Sequence, residues 1–73
     1  MNAGEILKQI TSQIESDWPE LDAQIILAHV MGHPRSWLLA HLETPLSPLQ
    51  IDQTKEAVSQ YQAGTPLPYI VRH

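Results

Sequence analysis

Seventy-three residues make one small domain, which buries only about 60% of the surface its unfolded chain exposes and has little room for a deep catalytic pocket. Eight acidic residues against four Lys plus Arg give a formal net charge of −4, and Lys8, Arg35, Lys55 and Arg72 lie scattered along the chain, so the clustered cations that neutralise nucleic-acid phosphates are missing and direct DNA or RNA binding is not expected. The absence of cysteine excludes disulfides and thiolate metal sites, no apolar run approaches the ~20 residues of a membrane span, and Met1–Glu5 lacks the basic-then-apolar pattern of a secretory leader, so a soluble, cytoplasmic monomer is expected.

The first helix is expected over residues 3–15. Asn2 is placed to cap it, and Glu5, three residues on, completes a capping box. Ala3, Ile6, Leu7, Ile10 and Ile14 recur at helical spacing and form its buried face. A second helix, over 19–31, opens on Pro19, which suits a first helical position because its missing N–H would be unpaired there anyway. Glu20 and Asp22 fall in the first turn, where the helix dipole favours negative charge. Ile25, Ile26, Leu27, Ala28, Val30 and Met31 cover more than one face, which marks this as the central helix, and Gly32 stops it.

Pro34 restarts the chain, and Trp37, Leu38, Leu39 and Leu42 mark a short helix over 34–42 that must dock to persist, because isolated helices below ~12 residues are marginal in water. The fourth helix, over 47–63, has the clearest start, with Ser47 as cap, Pro48 at the first position, Gln50 closing a capping box, and Leu46 and Ile51 set as a hydrophobic staple. Ile51, Thr54, Val58 and Tyr61 form its buried stripe, and Gly64 ends it. The two prolines of Thr65–His73 point to a turn and then an extended run from Tyr69 to Val71. Residues 1–73 thus read as one all-α domain, a small bundle of four to five short helices, with a core of Ile, Leu, Val and Ala because the chain has no Phe.

Chemistry is harder to find. His29 and His33 stand four apart, a spacing that sets two metal ligands on one helical face, but Gly32 and Pro34 break the register around His33, and His41 or Asp22 would have to be brought in as well. Ordinary packing of a partly buried His29, with His33 and His41 in loops, accounts for the histidines more simply, and no metal ligand is assigned. Ser36, Ser47 and Ser59 lack the context of a nucleophile. The carboxylate pairs Asp17/Glu20 and Asp52/Glu56 suit dipole complementation and solubility better than acid–base work. Gly4, Gly32 and Gly64 stand alone and form no phosphate loop. Trp18 and Trp37 suit the core first and a partner second; of the two, Trp37 is expected nearer the surface.

Two stretches add a resemblance. Leu21-Asp22-Ala23-Gln24-Ile25-Ile26-Leu27-Ala28-His29-Val30-Met31-Gly32 followed by Arg35-Ser36-Trp37-Leu38-Leu39-Ala40-His41, and Gly64-Thr65-Pro66-Leu67-Pro68-Tyr69-Ile70, are similar to the amino-terminal domain of the HemK/PrmC family, with the helical pattern between them matching in order and length. The resemblance implies a parent enzyme that uses S-adenosylmethionine to methylate the glutamine of the GGQ motif in bacterial peptide-chain release factors, its chemistry carried by a carboxy-terminal domain with an N-P-P-Y motif. No such motif or donor-binding glycine loop lies in these residues, so no catalytic or cofactor-binding residue carries over. The implied role is recognition and positioning of the release factor by a piece of a longer enzyme that is inactive alone. Arg35, Trp37 and His41 are the candidate partner-binding residues, although Arg35 serves equally well as a structural pair for Asp22, which could instead bond a neighbouring backbone. Tyr69 and Ile70 are expected to fold back on the bundle and fix where a linker leaves, residues 65–73 forming the turn and the start of that linker.

The competing reading is a stand-alone acidic helical interaction module. Carrier proteins are acidic bundles of this length, but the D-S-L that bears their prosthetic arm is missing. A helix-turn-helix DNA binder conflicts with the charge.

Overall fold

A computed structural model describes residues 1–71, the last by its backbone only. The described residues are all-α, with five helices in order: α1 (Ala3–Gln13), α2 (Pro19–Met31), α3 (Arg35–Ala40), α4 (Pro48–Gln62) and α5 (Leu67–Val71). The central helix α2 packs against α1, α3, α4 and α5. Its mixed apolar surface, read from the sequence as burial on several sides, is used that way: Ala23, Ile26, Leu27 and Ala28 are all buried. Small side chains at Ala23 and Ala28 let neighbouring helices approach, and Ile6, Ile10 and Ile14 of the α1 region, Leu38, Leu46 and Val58 close the core around them.

Both capping boxes form as read. Glu5 N donates to Asn2 Oδ1 (2.9 Å) and Asn2 N to Glu5 Oε1 (3.0 Å), and Ser47 and Gln50 exchange the equivalent pair. The amino-terminal end of α1 is also tied to distant backbone. Ala3 N donates to Thr44 O (2.9 Å), Gly4 N to Leu42 O (2.8 Å) and Leu46 N to Met1 O (3.0 Å), with a lone β-bridge between Asn2 and Pro45. Together with the Asn2 and Glu5 amides of the capping box, the four amides that a helix start normally leaves unpaired (Asn2, Ala3, Gly4 and Glu5) all have partners. A side chain at position 4 would meet Leu42 O at 3.3 Å, which explains a glycine there. At the other end of α1, Gln62 Nε2 reaches from α4 to cap Gln13 O (2.8 Å).

Helix stops at Gly32 (φ 73°) and Gly64 (φ 102°) take the left-handed conformation that glycine favours. Three expected boundaries shift. α1 ends at Gln13 rather than residue 15: Ile14 turns extended (φ −82°, ψ 122°) yet stays in the core, so its burial does not require the helix. α3 covers only 35–40, because Pro34 is its cap and His41 leaves helical geometry. α4 spans 48–62, with Ala63 as its carboxy-terminal cap.

The larger correction concerns the last segment, expected to extend from Tyr69 to Val71 but helical over Leu67–Val71. Pro66 lies just before the helix and Pro68 within its first turn, where a missing N–H costs nothing, and Tyr69 N closes the turn on Pro66 O (3.0 Å). Leu67 packs on the core. Ile70 is half-buried, as expected, while Tyr69 is exposed rather than folded back. The part of the expected linker at residues 72 and 73 lies outside the described residues.

Candidate functional site

Arg35, Trp37 and His41 all belong to α3 or its end, yet they contribute to two different surface features. Trp37 and His41 join one. Their spacing of four stacks the rings, centroids 4.1 Å apart with 12° between planes, and His33, four residues earlier, stacks on the opposite face of Trp37 at 3.8 Å and 15°. The result is a column of three rings, His33–Trp37–His41. His41 Nδ1 lies 2.7 Å from Trp37 O; a carbonyl can only accept, so this nitrogen carries the proton. His33 was not among the predicted contact residues, although the 33, 37, 41 spacing was visible in the sequence. Among the described residues no three His, Cys, Asp or Glu side chains are grouped to hold a metal ion. His29, expected partly buried, is exposed.

Arg35 joins the second feature, an open hollow of about 390 Å³ at the start of α2 formed with Asp17, Trp18, Pro19, Leu21 and Gln24. Arg35 Nε donates to Gln24 Oε1 at 3.4 Å. The expected Asp22–Arg35 pair is replaced: Asp22 Oδ2 accepts from Ser16 Oγ (2.8 Å) and from Tyr61 Oη (2.6 Å). The reason lies in helix geometry. Asp22 sits in the first turn of α2, where its carboxylate reaches the α1–α2 loop and the end of α4. Ser16 Oγ in turn accepts from Trp18 N (3.2 Å). A chain of hydrogen bonds therefore runs Tyr61–Asp22–Ser16–Trp18 and binds α4, α2 and the intervening loop together. The bond donated to Asp22 holds the Tyr61 hydroxyl above its ordinary pKa, with desolvation and the nearby carboxylate charge adding to the rise and Ser16 opposing it.

The exposure of the two tryptophans is the reverse of the expectation. Trp18 is 70% exposed, whereas Trp37 is half-buried within its ring column. Trp18 precedes Pro19 at the cap of α2 and so falls outside any helical stripe, a signal that would have removed it from the core. Beside the hollow, Gly4, Leu7 and Leu42 floor a second, more apolar depression, and the two share Glu20 and Gln24, one turn apart on α2, as a common wall.

The described residues form a small all-α bundle whose distinctive surface groups are aromatic. More particularly, residues 5–71 match the family model described as PrmC N-terminal domain, and the chain belongs to that family. Among its relatives, the release factor glutamine methyltransferase of Vibrio cholerae is 35% identical over 68 residues, covering 89% of this chain and 24% of that protein. That of Salmonella typhimurium is 36% identical over 56 residues (77% and 20%), and that of Escherichia coli K12 is 34% identical over 65 residues (88% and 24%). The chain thus spans about a fifth to a quarter of the length of these relatives. No solved structure matches significantly. No helix among the described residues is long and apolar enough to cross a membrane.

Proposed function

We propose that this domain, residues 1–73, is the substrate-recognition part of a cytoplasmic release factor glutamine methyltransferase. In this reading it holds a bacterial peptide-chain release factor so that a catalytic domain outside this sequence transfers a methyl group from S-adenosylmethionine to the glutamine of the GGQ motif. The observation that carries the proposal is the family match over residues 5–71, combined with relatives named for that activity of which this chain covers only a fifth to a quarter. The domain itself contributes affinity and orientation, which lower the barrier by presenting the reacting group in place. Arg35, Trp37 and His41 remain candidate contacts, Arg35 through the hollow and the other two through the ring column.

The test is kinetic. Removing this domain from the enzyme that carries it should raise KM for the release factor by about tenfold or more while changing kcat less, the pattern of lost ground-state binding. Unchanged kinetics would sink the assignment. The domain alone should neither methylate a release factor nor bind S-adenosylmethionine saturably in a calorimetric titration.

A further inference from the structure

α5 is five residues long, well under the ~12 that a helix needs to hold by itself in water, so it exists only while docked. It rests on α2 and α4, and its seat is shallow. Among its described side chains none is fully buried: Leu67 packs on the core and Ile70 is half-buried, while Pro68 and Tyr69 are exposed. Ile70 does not fill the place it occupies. An open hollow of about 370 Å³ lies beside it, lined also by His29 and Val30 of α2 and by Ala57 and Gln60 of α4. The close packing that holds a protein interior rigid is therefore incomplete at this contact.

The residues before α5 make it separable. Gly64, at φ 102°, donates from its N–H to Tyr61 O (3.1 Å), and Thr65 N donates to Gln60 O (3.0 Å). These bonds close the end of α4 before α5 begins, so α4 has no turn to unwind when α5 leaves. The buried apolar core likewise draws on residues between Ala3 and Val58, and it stays closed on itself without α5.

We propose that α5 is a hinged latch, which undocks from α2 and α4 as a unit about the Gly64–Pro66 joint while α1 to α4 stay folded. Docked, it fixes the direction in which the chain leaves the bundle. Undocked, it frees that direction and opens the hollow at Val30 and Ala57 to solvent. Such an opening belongs to the low end of the range of opening free energies within one protein, apart from global unfolding. The latch is independent of the recognition role proposed above.

Native-state hydrogen exchange of the 73-residue chain tests it, read by NMR at the amides of Tyr69 and Ile70 and at those of Ile26 and Leu27 in α2, with circular dichroism confirming that each variant is folded. Tyr69 and Ile70 should share one opening free energy. Corrected for intrinsic rates, they should exchange at least about a hundredfold faster than Ile26 and Leu27, and with little dependence on urea because little surface is exposed. Ile6→Val, a core change in α1, should speed Ile26 and Leu27 by about threefold or more and leave Tyr69 and Ile70 within about twofold. Leu67→Ala should speed Tyr69 and Ile70 together by about tenfold or more. If Ile6→Val speeds all four amides by the same factor, α5 opens only with the whole domain and the latch is overturned. If Leu67→Ala leaves Tyr69 and Ile70 unchanged, the opening is fraying of the chain end, and the latch is equally overturned.

Discussion

The two tryptophans lie near opposite ends of α2 and are supported in opposite ways. Beyond the carboxy-terminal end, Trp37 is sandwiched by His33 and His41, partners four residues away on either side, so its aromatic faces are used within its own stretch of chain. Before the amino-terminal end, Trp18 has little of its surface covered while its backbone is held by a hydrogen-bond chain reaching α4. Local stacking consumes an aromatic surface; long-range support of the backbone presents one. Two residues of the same type are therefore placed differently, Trp37 half-buried between two rings and Trp18 exposed on a fixed backbone.

The contrast breaks first at Asp22. Asp22→Ala removes the acceptor shared by Tyr61 and Ser16 and should cost about 2–3 kcal/mol by urea denaturation, since charge-assisted bonds are lost and two hydroxyls are left without their partner. A loss below about 0.5 kcal/mol would show that the network does not hold the loop. Trp37→Ala should cost about 1–2 kcal/mol, the worth of two ring stacks and the area they cover. Tyr61→Phe follows at about 1 kcal/mol, and it carries a pH signature. The folded-state pKa of Tyr61 is raised above its unfolded value of about 10, so the folded form keeps its proton where the unfolded form has released it. The stabilisation is fully present below that unfolded value and is lost as pH rises through the higher folded one. Denaturation midpoints measured between pH 9 and 11.5 should fall more steeply for the wild-type domain than for Tyr61→Phe; parallel curves would remove this contribution. The smallest effect is expected for Trp18→Ala, within about 0.5 kcal/mol of wild type, as for an exposed substitution away from the core. If it proves as costly as Trp37→Ala, the distinction between the two ends fails.

What the sequence disclosed follows from the range of each interaction. The capping boxes Asn2/Glu5 and Ser47/Gln50, the stops at Gly32 and Gly64 and the multi-sided burial of α2 are encoded within a few residues of chain, and all were legible. α5 was misread because prolines that permit a first helical turn also resemble signals for an extended run. Asp22 was offered Arg35 on grounds of charge, whereas the bundle brings Ser16 and Tyr61 to it. Residue spacing does not reveal a partner 39 positions away. For the same reason the candidate contacts were half legible: the stacking of Trp37 with His41 follows from spacing, but grouping Arg35 with Trp18 requires the fold.

The ties between Met1, Ala3, Gly4 and the 42–46 stretch bear on how the molecule opens. Amides in the first turn of a helix ordinarily exchange with solvent by fraying, at nearly no free-energy cost. Here Ala3 N and Gly4 N are held by carbonyls about forty residues along the chain, so they can be released only when α1 parts from the segment leading into α4. The amino-terminal turn should consequently exchange with the slow, cooperative unit of the protein rather than with its loose ends, and α1, α2 and the 42–46 stretch should open together.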